Sequence, residues 1–210
     1  MQKTAIILGS TGLTGSYVLD QLITNENYTY IKLFSRKSTG NKHPKVEEFI
    51  VDLQQFESFE KDFTGDEVYC CIGTTKKKTP NKDVYRTIDV GIPTNAAQLA
   101  KKNGIKSFAV VSAIGANSNS SVGYNRMKGD MEQAVMDTEI EYTYILRPSF
   151  IAGNRQEHRG GEKFGLALFK FLKFMIPKKY RSVEAKAIGA KMIELCQSNA
   201  PTCILESNEI

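Results

Sequence analysis

Thr4-Ala5-Ile6-Ile7-Leu8-Gly9-Ser10-Thr11-Gly12-Leu13-Thr14-Gly15 opens the chain with an apolar, partly β-branched run that stops at three regularly spaced glycines. The run reads as a buried strand. Beyond it, Leu13, Tyr17, Val18 and Leu22 fall on one face of a helix predicted over Leu13 to Thr24. A tight strand-to-helix turn needs one residue free to take unusual backbone angles. It also needs bare backbone where a ligand approaches, and room for the helix to close on the strand. Gly9, Gly12 and Gly15 supply those three positions. The helix then aims its first N–H groups and the positive end of its dipole outward, an arrangement that holds phosphate. Ser10, Thr11, Leu13 and Thr14 complete the turn. The spacing is G-x-x-G-x-x-G rather than G-x-G-x-x-G, so its placement between strand and helix carries the reading of a bound dinucleotide.

Outward from this unit, short apolar runs alternate with longer helical patterns, the sign of a parallel sheet covered on both faces. Further strands are predicted at Tyr30 to Ser35, Glu48 to Val51, Glu67 to Ile72, Ser107 to Ser112, Tyr142 to Leu146 and Thr202 to Leu205. Further helices are predicted at Val84 to Lys102, Val122 to Met136 and Val183 to Cys196. The expected class is α/β with a doubly wound parallel sheet, whose ligand lies at the strand ends. At 210 residues and 41% hydrophobic content, one domain over residues 1–210 is expected, with residues 150–200 as a small substrate-side or lid region.

The absence of a long apolar run argues against a transmembrane segment, and the early first strand leaves no room for a signal peptide. A cytoplasmic location is therefore expected. Cys70, Cys71, Cys196 and Cys203 lack metal-ligand spacing and are expected to be reduced, and no metal site is expected. The net charge of +5 comes from 28 basic and 23 acidic residues that are interspersed, which suits an anionic small ligand better than nucleic acid. Self-association is left open.

The second strand ends in Phe34-Ser35-Arg36-Lys37, with no carboxylate to hold a ribose 2'-hydroxyl. A guanidinium forks onto phosphate and an ammonium adds charge, so Ser35, Arg36 and Lys37 point to NADP(H) in preference to NAD(H). Tyr124 and Lys128 are four apart, on one face of a helix, and Ser112 ends an apolar strand before them. These are the side chains needed to move a proton beside a nicotinamide. Tyr124 is expected to act as acid or base, Lys128 to lower its pKa, and Ser112 to polarise the substrate oxygen.

Other stretches agree: Val51-Asp52, Cys70-Cys71-Ile72-Gly73-Thr74-Thr75, Val111-Ser112, Lys128-Gly129, Arg147-Pro148 and Arg155-Gln156-Glu157 leading to Gly161-Glu162. With these, nearly the whole chain resembles the atypical short-chain dehydrogenase/reductases, in the branch of Tat-interacting, NADPH-binding proteins. The resemblance implies a Rossmann fold, NADP(H) and a Ser-Tyr-Lys site. It further implies that Asp52 and the adjoining Leu53 meet the adenine edge. Cys71, Ile72, Gly73, Thr74 and Thr75 would follow the nicotinamide-side ribose, Lys128 would hold ribose hydroxyls, and Val111, Arg147 and Pro148 would border the nicotinamide. Relatives commonly carry an Asn, on the long helix before the fifth strand, that positions a relay water; Asp89 stands there in this chain.

The apolar segment Phe164 to Ile176 reads as a buried helix, as the wall of an apolar pocket or as an amphipathic face. The preceding loop, with Arg155, His158 and Arg159, is placed at the pocket mouth. Two functions compete: an NADP-dependent oxidoreductase acting on a small carbonyl or hydroxyl compound, and an NADP(H)-binding regulator or redox sensor with little turnover.

Overall fold

The computed structural model describes residues 2–153 and 177–210. Seven strands form the main sheet: β1 (Lys3–Leu8), β2 (Tyr28–Ser35), β3 (Val46–Ile50), β4 (Glu67–Cys70), β5 (Ser107–Val111), β6 (Tyr142–Arg147) and β9 (Cys203–Glu206). Their order is β3-β2-β1-β4-β5-β6-β9, and every pairing is parallel. Parallel neighbours require crossover connections. The helical ones are α1 (Leu13–Thr24), α2 (Lys82–Arg86) running on into α3 (Ile92–Lys102), α4 (Gly123–Met136) and α5 (Ala185–Ser198). The strand order reverses between β1 and β4, the switch point at which open α/β sheets bind ligands.

Successive residues of β1 alternate between two cores. Ile6 and Leu8 join Phe34, Val68, Phe108 and Val110 under Ala96, Ala100, Met131 and Val135. Ala5 and Ile7 join Leu33, Tyr69, Ala109 and Tyr144 under Val18, Leu22, Ile188 and Met192. Residues Ala5 to Leu8 have no exposed surface, and burying each large one stabilises the fold by about 1.5–3 kcal/mol. This two-sided burial explains why the strands read as continuous apolar runs.

Two local features depart from the sequence expectation. The helix predicted over Val84 to Lys102 is divided, because a π-helical turn (Thr87–Gly91) separates α2 from α3. Pro93, near the start of α3, has no N–H for the carbonyl of Asp89 four residues earlier, and its ring crowds that carbonyl. The helix widens around Asp89 as a result. Val183 and Glu184, predicted as helix, instead form β8, which pairs in parallel with β7 (Ile151–Ala152). The segment Phe164 to Ile176 and the loop Arg155 to Glu162 lie outside the described residues. No helix among the described residues is long and apolar enough to cross a membrane.

At the opposite, amino-terminal edge of the sheet, the buried Glu67 accepts hydrogen bonds from Tyr28 (2.6 Å), Tyr69 (2.5 Å) and Lys3 (2.5 Å). Both carboxylate oxygens have donors, which makes a buried charge tolerable.

Candidate active site

The glycine turn sits at the switch point. Gly9 takes φ +84°, and a Cβ there would lie 2.8 Å from the Cys71 carbonyl oxygen at the end of β4. Cys71 in turn donates its N–H to Leu8, at 2.9 Å, so the turn is wedged between two strand ends. Gly15 is tighter still, since its Cβ would lie 2.2 Å from the Gly9 carbonyl oxygen. Gly12, the N-cap of α1, offers no side-chain cap, and the first turn carries no acidic residue. The first N–H groups of that helix are therefore left for an anion. Ser10 adds a hydroxyl whose Oγ is buried without a hydrogen-bond partner among the described residues, which is costly unless a ligand supplies one. Thr11 is exposed, Thr14 is buried, and Leu13 packs beneath Gly153. An unfilled hydroxyl beside an uncapped helix end fits the pyrophosphate of a dinucleotide.

At the end of β2 the buried Ser35 donates to the Lys37 carbonyl at 2.8 Å, fixing a turn that leaves the Arg36 and Lys37 side chains exposed. Asp52 is also exposed, and its Oδ1 accepts from the Gln54 N–H at 3.0 Å, so the carboxylate shapes its own turn while Leu53 packs into the core.

The chemistry-bearing groups meet where the π-helical turn crosses α4. Asp89, 1% exposed, accepts from the Thr74 N–H at 2.8 Å and pairs with Lys128 Nζ at 3.1 Å. One carboxylate thus ties together the turn after β4, the long helix and α4. Gly73 lies against the same carboxylate, while Thr74 Oγ1 shares a 2.9 Å hydrogen bond with Thr79 and Thr75 opens the next turn. Tyr124, at the start of α4, retains 43% of its surface exposed. The expected fall in its pKa is overturned: burial and then the Asp89 charge push the phenol up to about 12. The Lys128 ammonium is committed to Asp89, and the charge the phenol feels is that of the carboxylate. Tyr85, half-buried on α2, is likewise pushed up to about 12 by burial, then by Asp89 and Tyr124.

Ser112, just past the end of β5, meets a different part of α4. Its hydroxyl, buried, donates to Glu132 Oε1 at 2.5 Å. Glu132 lies eight residues beyond Tyr124, about 12 Å along the helix. Glu132 also accepts from Arg147 at 2.6 Å, and Arg147 pairs with Glu206 at 3.0 Å. The Arg147 guanidinium is thus occupied by two carboxylates, which leaves its backbone for the coenzyme. Pro148 is buried and its carbonyl accepts from the Ile114 N–H at 2.9 Å; Val111 and Ile72 are partly buried at their strand ends. Tyr85 and Glu132 were missed in the sequence. Each stands four residues from a residue singled out there, Tyr85 from Asp89 and Glu132 from Lys128, and that spacing was the available signal.

The buried pair yields a prediction. Asp89→Asn removes the negative charge that raises Tyr124, so the phenol titrates at lower pH and the alkaline limb of any pH–rate profile moves down with it. Thermal unfolding should show a loss of about 3–5 kcal/mol, because Lys128 is left buried without a counter-charge. An unmoved alkaline limb would mean that Asp89 does not act on the phenol.

Comparison with known proteins gives one answer at two levels. The NAD(P)H-binding family matches residues 9–170. Protein HTATIP2 of Rattus norvegicus is 30% identical over 164 residues, covering 76% of this chain and 67% of that protein. The mitochondrial protein FMP52 of Candida glabrata is 33% identical over 178 residues, covering 80% and 71%. Among solved structures, the Bordetella bronchiseptica enzyme WbmG in complex with NAD superposes with a TM-score of 0.73 at 16% identity, over all of this chain and 74% of that one. A UDP-N-acetylglucosamine 4-epimerase from Methanobrevibacter ruminantium M1 gives 0.73 at 16% identity, over 98% and 76%. At such identities these structures establish the fold.

Proposed function

Because the chain belongs to the NAD(P)H-binding family of atypical short-chain dehydrogenase/reductases, beside HTATIP2 and FMP52, we propose that it is an NADPH-dependent oxidoreductase acting on a small carbonyl or hydroxyl compound. The observation that carries this reading is the Tyr124 phenol one helical turn from Lys128, whose ammonium is fixed by Asp89 at the same sheet edge as the glycine turn. Bound at that edge, the coenzyme supplies the hydride. The backbone from Gly9 to Gly15 holds the pyrophosphate, with the Ser10 hydroxyl as an added donor. Arg36 and Lys37 hold the 2'-phosphate, and the Gly73 to Thr75 segment follows the second ribose. Tyr124, neutral throughout the physiological range, gives its proton to the substrate oxygen. In this reading Ser112 acts indirectly: it anchors Glu132, one turn along α4 from Lys128.

Coenzyme preference rests on Arg36. Arg36→Ala is expected to weaken NADPH binding about 10- to 100-fold, the worth of a charge-assisted contact, and to leave NADH affinity unchanged. Calorimetric titration of both coenzymes measures this, and equal losses for the two would remove the phosphate clamp.

A regulator that binds NADP(H) with little turnover is the competing reading, and the observation on its side is Asp89, which neutralises Lys128 and raises the phenol. NADPH consumption across a panel of small aldehydes and ketones separates the two. Turnover that depends on Tyr124 supports the enzyme, and tight binding without turnover supports the regulator. The cytoplasmic placement belongs to the same proposal; the mitochondrial names of the fungal relatives set the opposing expectation, which subcellular fractionation tests.

A further inference from the structure

Tyr85 precedes Asp89 by four residues, as Tyr124 precedes Lys128. Each phenol therefore lies about one helical turn before a member of the buried ion pair. The two helical segments lead away from the same edge of the sheet, because β4 and β5 are parallel and each runs on into its helix. The 3.1 Å contact between Asp89 and Lys128 brings the two turns level. The residues one turn earlier then stand side by side above the pair, at the edge that holds the glycine turn.

The electrostatics agree. The same carboxylate raises both phenols, and Tyr85 responds in addition to charge on Tyr124. The other groups facing Asp89 are Lys128 from α4 and Cys70 from β4, whose thiol burial pushes up to about 11. The Tyr85 hydroxyl has no hydrogen-bond partner among the described residues.

We propose that Tyr85 is a second substrate-contacting phenol, and that the site takes a carbonyl compound in the reducing direction with its oxygen held between Tyr85 and Tyr124. This rests on the oxidoreductase reading and gives it a direction. Two neutral phenols are donors, so together they form an oxyanion-type pair for the charge that builds on a carbonyl oxygen. As hydride from the reduced coenzyme reaches the carbonyl carbon, the C=O π pair takes the proton of Tyr124. The carbonyl is reduced to an alcohol, the coenzyme is oxidised, and the Tyr124 phenolate recovers a proton from water. Tyr85 keeps its proton and contributes a hydrogen bond.

Two measurements test this. Ring-labelled tyrosine NMR follows the titration of Tyr85 without any turnover: in Tyr124→Phe its onset should move to lower pH, because a neighbouring phenolate no longer opposes it. An unchanged onset would show that the phenols are not neighbours and would overturn the proposal. In steady-state reduction of small aldehydes and ketones, Tyr85→Phe should lower kcat/KM about 100-fold with NADPH affinity unchanged. Full activity in Tyr85→Phe beside an inactive Tyr124→Phe would also overturn it, leaving a single-phenol site. A wild-type protein that binds NADPH yet reduces none of these carbonyls would overturn the oxidoreductase reading itself, and this inference with it.

Discussion

Tyr124→Phe should lower kcat for carbonyl reduction by about 10²- to 10⁴-fold, the usual worth of a positioned proton donor, while NADPH affinity stays within about twofold. The substitution removes one oxygen from a side chain that is already 43% exposed, so the ring keeps its packing and α4 keeps its start. The Asp89–Lys128 pair and the Thr74 contact do not involve the phenol and survive the change. A selective loss of kcat therefore reports the proton alone. Parallel losses in kcat and in coenzyme affinity would mean that Tyr124 works by holding the coenzyme.

Gly15→Ala should weaken coenzyme binding about 10- to 100-fold and lower the melting temperature. Its Cβ would stand 2.2 Å from the Gly9 carbonyl oxygen and 2.7 Å from the Gly9 carbonyl carbon. Both are backbone atoms, so no side chain swings aside to relieve the clash. The start of α1 must move away from the turn. Overpacking of this kind costs about 1–3 kcal/mol of stability, and a displaced helix end loses a similar amount in binding, about tenfold per 1.4 kcal/mol. Gly12→Ala is the graded comparison: its nearest backbone contact would be 3.1 Å, and a smaller loss is expected. Equal NADPH affinity in wild type and Gly15→Ala, read by titration, would place the pyrophosphate somewhere other than this turn.

Much of the fold was legible because the central strands of the main sheet are apolar runs closed by turn-forming residues, whereas the edge strand β3, Val-Glu-Glu-Phe-Ile, is partly exposed. The Leu13 to Thr24 helix has the same bounds in the structure, its apolar face and glycine entry leaving little room for another register. The short β7–β8 pair was not legible, since two residues on each side carry no period. The π-helical turn had a signal in Pro93, four residues after Asp89, but helical periodicity assumes an unbroken ladder and hides it. The charge at Tyr124 was misread for a related reason. Spacing along α4 shows that Lys128 is near the phenol, whereas the Asp89 that claims the ammonium comes from another helix. Ser112 shows the limit of strand parity. Two residues past Val110, it faces the side covered by α3 and α4, yet only the packed structure places it at Glu132 rather than one or two turns higher.

The most direct test is a crystal structure with bound NADP+. The pyrophosphate is expected on the first turn of α1 within reach of Ser10, the 2'-phosphate beside Arg36, and the nicotinamide facing the Tyr124 hydroxyl with room for one carbonyl group between them. A nicotinamide lodged away from Tyr124, or a Tyr124 hydroxyl turned to solvent with the coenzyme in place, would contradict this arrangement.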